Sequence, residues 1–255
     1  MNKYLNDFEK NVENKISEIT KWIKDYVNKA NANGVILGMS GGIDCSVVAR
    51  LCQKANVPVM LVLMANGNSM NLAGDGKDAM ELIEKFNFEY MNIPITDINK
   101  QFLNTVNTNK SDDITLSEMA ISNINPKLRM TILYTLGQSM NYLVIGTSNK
   151  SEITMGYSTK FGDSACDFNP LGDFTKSEVR ILGKALNLPE RIILKPPSAN
   201  LWAGQTDEDE MGITYKDLDT YILTGKGTEE VKNKVETTKL KVAHKNNKVP
   251  VFMNK

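Results

Sequence analysis

A short loop of small residues, 38–46, carries the most recognisable chemistry in this sequence. It reads Gly-Met-Ser-Gly-Gly-Ile-Asp-Cys-Ser and stands between the apolar run at 35–37 and an apolar-periodic stretch that begins at Val47. A strand, a loop and a helix in this order present backbone N–H groups and the positive helix end to an anion, so we predict a phosphate site. Asp44 is an acid beside that site, which is explained if it binds a metal ion. The two glycines could also mark an ordinary strand-to-helix turn, and the Gly-Lys-Ser/Thr ending of a Walker A loop is absent.

Charge balance and cysteine content indicate a globular protein of the cytoplasm. Among 255 residues, 30 basic and 30 acidic side chains cancel, which does not favour nucleic acid or an anionic membrane as a partner. Residues 1–10 lack the apolar core of a secretory signal, and the longest apolar stretch, 57–65, is far too short to span a membrane. The three cysteines have no Cys-x-x-Cys spacing, so reduced thiols and a cytoplasmic location are expected.

Apolar periodicity along the chain predicts an α/β fold. Helices are expected at 5–27, from the end of the 38–46 loop to about 55, and at 77–86, 95–106 and 115–140, the last bent near Pro126; strands are expected at 34–37, 57–64, 88–93 and 142–145. This alternation is typical of a doubly wound parallel sheet flanked by helices, a Rossmann-like arrangement, here in one domain over residues 1–255. Ligands bind such sheets at the carboxyl ends of the strands, where the loops after Leu37, Met64 and Ile145 are expected to lie.

Five strings beyond the fourth predicted strand narrow the class of protein. They are GTSNKSE at 146–152, GYSTK at 156–160, DFNPL at 167–171, KPPS at 195–198 and GQTDEDE at 204–210. The 38–46 loop resembles the Ser-Gly-Gly-x-Asp-Ser pattern of the N-type ATP pyrophosphatases. With the five strings, the chain resembles the ammonia-dependent NAD synthetases over essentially its whole length. The loop alone is equally compatible with GMP synthetase, argininosuccinate synthetase, asparagine synthetase or a tRNA-thiolating enzyme.

The resemblance implies a ligase that forms a C–N bond in the last step of NAD biosynthesis. The implied reaction amidates deamido-NAD with free ammonia through an acyl-adenylate, giving NAD, AMP and pyrophosphate, with ATP and deamido-NAD as substrates and Mg²⁺ as cofactor. Two other functions stay open. One is another ATP pyrophosphatase, GMP synthetase-like or tRNA-modifying, although the sequence has neither the basic excess nor the spaced cysteine pair expected of a tRNA enzyme. The other is a non-catalytic nucleotide-binding protein.

The same resemblance assigns the residues for metal, ATP and catalysis. Asp44 and Glu152 match the Mg²⁺ ligands, and Asp44, Lys176 and Asp163 are the implied catalytic residues, with Asp163 positioning or deprotonating ammonia. The matching ATP-binding positions are Gly38, Met39, Ser40, Gly41, Gly42, Ile43, Asp44, Cys45, Thr147, Lys176 and Ser198. Without the resemblance, Glu152 could be an ordinary acid in a first helical turn, and Lys176 a solvated lysine at a helix start.

A second set of positions matches the deamido-NAD site. It comprises Lys127, Lys160, Asp167, His244 and Lys245. His244 is the only histidine in the chain, and we interpret it as a binding residue because transfer to an adenylate needs no histidine nucleophile. Two residues depart from the family pattern: Cys45 replaces the usual serine, and Lys127 stands where relatives commonly have arginine, which keeps the charge but loses the bidentate fork.

The resemblance also bears on partners. Glutamine-using relatives carry an additional glutaminase domain, for which these residues leave no room, so free ammonia is the expected nitrogen source. The family forms homodimers through a helical interface, and His244 and Lys245 could reach a dinucleotide bound mainly by the partner chain. The apolar stripe of the first helix, which includes Ile16 and Ile23, could join that interface or pack on its own sheet.

Overall fold

The computed structural model describes residues 1–67, 75–197 and 206–253. Four parallel strands form one sheet: β1 (Gly34–Gly38), β2 (Val59–Leu63), β3 (Glu89–Asn92) and β4 (Tyr142–Val144), in the order β3-β2-β1-β4. The chain first winds outward from β1 to β3 and then returns to place β4 on the other side of β1. This reversal creates a switch point between β1 and β4, where ligands bind in such sheets. The predicted doubly wound α/β fold is confirmed.

Thirteen helices are present in the described ranges. They are α1 (Asn2–Lys10), α2 (Val12–Lys29), α3 (Ile43–Lys54), α4 (Asp75–Phe86), α5 (Thr96–Asn109), α6 (Glu118–Ser122), α7 (Ile124–Met140), α8 (Lys150–Met155), α9 (Lys176–Ala185), α10 (Glu190–Leu194), α11 (Asp207–Met211), α12 (Tyr215–Thr224) and α13 (Glu229–Asn246). None of them has both the length and the apolar character needed to cross a membrane.

Two predicted helical regions are each divided into two helices: the prediction of a single helix at 5–27 was wrong, and the region 115–140 is broken rather than bent. The helix predicted at 5–27 stops at Asn11, whose backbone leaves the helical conformation and ends α1. The helix predicted at 115–140 begins as a short segment capped by the Ser117 hydroxyl, and a new helix starts after Asn123. Pro126 then lies in the first turn of α7, where a missing N–H removes no helical hydrogen bond, so the expected bend falls three residues earlier.

Apolar side chains fill both faces of the sheet. One face packs against α2, α3 and α9, and the other packs against α7. A third apolar cluster, which includes Tyr215 and Leu218, joins α8, α11, α12 and α13. The stripe of α2, including Ile16 and Ile23, is buried in the first of these cores. That stripe therefore packs within its own chain and is not an interface.

Candidate active site

A cavity of about 650 Å³ opens at the carboxyl ends of β1 and β4. Its wall includes most of the 38–45 loop, Thr147 after β4, one face of α7 and the first residue of α9. The cavity therefore lies at the switch point, where the sequence placed the ligand. Of the predicted site residues it brings together Gly38, Met39, Ser40, Gly42, Ile43, Asp44, Cys45, Thr147, Glu152, Asp163, Lys176 and Lys245. Ser198 lies outside the described residues.

The loop after β1 has the backbone of an anion-binding turn. Gly41 has a φ of 81°, a left-handed conformation that favours glycine, and Gly42 caps α3. The Ser46 hydroxyl is buried and donates to the Gly42 carbonyl at 2.7 Å. Cys45 is also buried, with its Sγ 3.3 Å from the Ser40 Oγ. The thiol that replaces the usual serine therefore supports the loop from inside.

A buried ion cluster joins Asp44 of this loop to Glu152 and Lys176. The Lys176 Nζ lies 2.6 Å from the Asp44 Oδ2 and 3.1 Å from the Glu152 Oε1. The Asn149 Nδ2 donates to the other Asp44 oxygen at 2.9 Å. The second Glu152 oxygen accepts from the backbone N–H of Asn149 in a capping box at the start of α8. Glu152 is thus an acid of the first helical turn through one oxygen, while the other oxygen pairs with Lys176 in the cavity wall, and its role as a metal ligand stays a prediction.

Burial and charge act in opposite directions on this cluster. Loss of water raises the pKa of Glu152, and the nearby Lys176 ammonium offsets only part of that rise. Burial alone would lower the pKa of Lys176, but Asp44 and Glu152 together raise it above its ordinary value. Lys176 is only 3% exposed, which excludes the alternative of a solvated lysine. It is a fully charged counterion held between two carboxylates.

Residues from the last third of the chain position Lys176. Asp219 is fully buried and accepts hydrogen bonds from the hydroxyls of Ser151 and Ser177, at 2.5 and 2.6 Å. The Ser151 hydroxyl oxygen in turn accepts from the Lys176 amide at 3.1 Å. This network joins the starts of α8 and α9 to α12. It fixes the backbone from which the ammonium reaches the two carboxylates.

Three further residues of the site escaped the sequence analysis. The Tyr215 ring centroid lies 5.3 Å from the Lys176 Nζ, and its hydroxyl donates to the Asp207 Oδ2 at 3.0 Å. The Asp207 Oδ1 is buried and has no hydrogen-bond partner in the described ranges. Arg129 lines the cavity from α7. Asp207 belongs to the string 204–210, which supports the resemblance, and Arg129 follows Lys127 by two residues. The sequence therefore contained a signal for both residues.

The residues matched to deamido-NAD divide into two groups. The Lys160 Nζ donates to the His244 carbonyl at 2.6 Å, and the Lys245 Nζ donates to two carbonyls of the 156–158 turn, so these three residues lie together. Asp167 lies elsewhere, beside β4, where it accepts from the Val144 amide at 2.7 Å.

Several matched positions do not line the cavity. Lys127 is exposed on α7, and neither it nor Lys160, Asp167, His244 or Gly41 lines the cavity wall. Asp163 does line the wall. Its side chain is exposed to the cavity on one side, and partial loss of water on the other side raises the pKa of the carboxylate. The Asp163 Oδ1 accepts from the backbone N–H of Thr159 at 2.8 Å.

The sheet, the glycine loop and the carboxylate–lysine cluster together define a class: α/β proteins that hold a phosphate-bearing ligand at the switch point of a parallel sheet. A family model described as NAD synthase matches residues 15–250. The chain belongs to the NAD synthase family.

Individual relatives agree with this membership. The chain is 38% identical over 239 residues to the NH(3)-dependent NAD(+) synthetase of Carboxydothermus hydrogenoformans, covering 92% of this chain and 95% of that protein. Among solved structures it is similar to an NMN synthetase from Francisella tularensis, with a TM-score of 0.88, 36% identity, and 95% and 98% of the two chains covered. It is also similar to an NH3-dependent NAD synthetase from Campylobacter jejuni, with a TM-score of 0.75, 32% identity, and coverages of 94% and 98%.

Removing the Lys176 charge should strongly destabilise the ligand-free protein. In Lys176→Met, Asp44 and Glu152 lose their buried counterion, and breaking a buried pair costs about 3–5 kcal/mol. Lys150→Met is the matched control, because Lys150 also pairs with an aspartate, Asp173, but at the surface. That pair should contribute at most about 1 kcal/mol. Urea unfolding of both variants measures the difference, and equal losses would contradict the role given to Lys176.

Proposed function

We propose that this chain joins ammonia to the carboxylate of deamido-NAD at the expense of ATP. One observation carries the proposal: the predicted phosphate-binding loop and the Asp44–Glu152–Lys176 cluster, which shares Asp44 with that loop, line one cavity. A carboxylate does not react with ammonia directly, because its oxygen is a poor leaving group. Attack of that oxygen on the α-phosphorus of ATP forms an acyl-adenylate and breaks the bond to pyrophosphate. Ammonia then attacks the acyl carbon, AMP leaves, and one proton is released.

Each part of this sequence has a candidate residue. Backbone N–H groups of the 38–45 loop would hold the departing pyrophosphate, with the start of α3 behind them. Thr147 lines the same wall and would contact ATP. Asp163 opens to the cavity and would orient ammonia and accept its proton. Ser198 remains an expected ATP contact.

Asp44 and Glu152 fit a magnesium ion. Their oxygens lie 2.6 and 3.1 Å from one ammonium nitrogen, so a single cation can touch both. Mg²⁺ is usually held by one or two carboxylates, with phosphate and water oxygens in its remaining positions. When bound, it would neutralise charge on the triphosphate. Lys176 now occupies the place between the carboxylates, and we propose that it moves from them to a phosphate oxygen.

This competition between Lys176 and the metal can be measured without turnover. In Lys176→Met the carboxylates have no ammonium to displace, so MgCl₂ should raise the melting temperature of this variant more than that of the wild type. The double variant Lys176→Met/Asp44→Asn is the control and should lose most of that response. An equal response to Mg²⁺ in all three proteins would refute the proposed site.

We propose that the dinucleotide extends beyond the cavity. Lys160, His244 and Lys245 would bind one part of it near Asp163, whereas Lys127 and Asp167 would bind another part. A long ligand that crosses from one subunit to a second accounts for matched residues that lie away from the cavity of their own chain.

The function is tested with purified protein, ATP, MgCl₂, ammonium chloride and deamido-NAD. We expect equal amounts of NAD, AMP and pyrophosphate, resolved by chromatography. Asp44→Asn and Glu152→Gln should each lower the rate by about 100-fold or more, because a charge that stabilises the transition state is lost. Asp173→Asn is the exposed control and should keep the wild-type rate.

The same assay with one substrate replaced at a time tests which acid and which nitrogen source the protein uses. Nicotinate mononucleotide in place of deamido-NAD is included because one similar structure is an NMN synthetase. Faster amidation of the mononucleotide would overturn the choice of dinucleotide. Glutamine in place of ammonium should give little product, and efficient use of glutamine would contradict free ammonia as the nitrogen source. We place the reaction in the cytoplasm.

We further propose a homodimer formed through an aromatic patch of Trp22, Tyr26 and Tyr134, in which Trp22 and Tyr26 pack on the buried Phe168. Trp22 and Tyr26 lie on the outer face of α2 and are exposed, as is Tyr134 on α7. Ring centroids of Tyr26 and Phe168 are 4.6 Å apart, and those of Trp22 and Phe168 are 5.7 Å apart. The patch lies next to Asp167, whose carbonyl accepts from the Tyr26 hydroxyl. A partner packed here would bring a second chain to a proposed dinucleotide contact.

Light scattering at micromolar protein tests the dimer. The wild type should have twice the chain mass, and Trp22→Asp should shift it toward the monomer by burying a charge in an apolar interface. Tyr90→Asp is the control, since Tyr90 is equally exposed but lies on β3 at the opposite edge of the sheet. A monomeric wild type, or a Trp22→Asp variant that stays fully dimeric, would contradict this proposal.

A further inference from the structure

Arg129 lies on the face of α7 that forms the cavity wall. Pro126, Met130 and Leu133 line the cavity from the same face, whereas Lys127 points to solvent. The Arg129 Nε donates to the Met64 carbonyl at 3.1 Å, directly after β2. This bond fixes the plane of the guanidinium. The two terminal amino groups are left for other partners.

The cations that line the described part of the cavity differ in their partners. Lys176 binds two carboxylates, Lys195 binds Asp78 at 2.6 Å, and Lys245 donates to two backbone carbonyls. The terminal nitrogens of Arg129 have no hydrogen bond or ion pair with any residue in the ranges described. Loss of water lowers the pKa of Arg129, and the charge of Asp163 compensates only in part.

An oriented guanidinium without an anion is suited to bind one. Its planar fork matches the two oxygens of a carboxylate or a phosphate, which a lysine cannot do. A half-buried charge without an ion pair among the described residues is less favourable than one in open water, and a ligand anion reduces that cost. The electrostatic interaction with Asp163 places this cation near the residue proposed to handle ammonia.

We propose that Arg129 is a substrate-binding residue that grips two oxygens of an anionic group with its terminal amino groups. The group is a carboxylate or a phosphate of the bound substrates, held beside the point where the amide forms. This inference rests on the proposed function for the identity of the substrates. It gives α7 a binding role at a position where the resemblance assigned only the exposed Lys127.

Calorimetric binding tests the two sources of the anion separately. One arm titrates a non-hydrolysable ATP analogue with MgCl₂, and the other titrates deamido-NAD, into wild type, Arg129→Gln and Arg129→Lys. We expect the dissociation constant for at least one ligand to rise about 10-fold or more in Arg129→Gln, in line with a lost charged hydrogen bond. Arg129→Lys should restore part of the affinity, because it keeps the charge without the fork. An effect on the ATP analogue identifies a phosphate, and an effect on deamido-NAD identifies the acid substrate.

Stability separates binding from a structural role. The glutamine amide can still donate to the Met64 carbonyl, and the variant no longer carries an unpaired charge, so its melting temperature should equal or exceed that of the wild type. Arg50→Gln is the matched control: Arg50 is half-buried, lies 3.9 Å from the Phe86 ring centroid, and is outside the cavity, so both affinities should stay unchanged.

Two results would overturn the proposal. One is dissociation constants within threefold of wild type for both ligands in Arg129→Gln. The other is a loss of affinity that Arg50→Gln reproduces. If Arg129→Gln does not fold, Arg129→Met, which also removes the charge, replaces it under the same limits. A wild type that binds both ligands but forms no NAD would refute the proposed function and leave the binding result standing.

Discussion

The ammonium of Lys176, held between two carboxylates, is the interaction on which the site depends. Asp44 follows β1, Glu152 lies on the helix after β4, and Lys176 is the first residue of α9. Three separate segments of the chain are therefore joined at one buried charge. Two largely buried carboxylates this close would repel each other strongly, and a cation between them is what allows the arrangement to exist.

The strand order explains why these segments meet. Because β1 is the first strand and β4 is its neighbour on the other side, the loops that follow them open toward the same point. The helices before and after the reversal lie on opposite faces and separate above it, which leaves the cavity. The glycine loop supplies partial positive charge from its backbone, and the ion cluster supplies side-chain charge. The site thus combines a loop whose backbone suits an anion with the side chains for which we proposed an exchange of Lys176 for Mg²⁺.

Local sequence patterns predicted much of the fold and of the loop at the site. The apolar runs gave strands within two residues of those observed, and the loop sequence predicted the turn that Gly41 makes. The resemblance brought Asp44, Glu152 and Lys176 into one site, and they do lie together. Their roles with metal and ATP remain predictions.

What could not be predicted depends on helical phase and on distant contacts. Lys127 and Arg129 are two residues apart, but about 200° of helical rotation sends one to solvent and the other to the cavity. The pairing of Lys176 with carboxylates more than twenty residues away depends on tertiary structure, and its sequence neighbours give no sign of it. The break at Asn11 was also hidden, since the apolar spacing continues across it.

The position of Asp219 has a consequence for the order of events during synthesis. β1 and the glycine loop after it are synthesised well before Asp219, which accepts from the Ser151 and Ser177 hydroxyls that set the start of α9. Until α12 emerges, the cation that separates the two carboxylates has no fixed backbone to extend from. The nascent chain therefore contains the glycine loop and all three members of the ion cluster before the residue that positions Lys176 has been added. The proposed ligand site can take its final form only after α12 has joined α8 and α9.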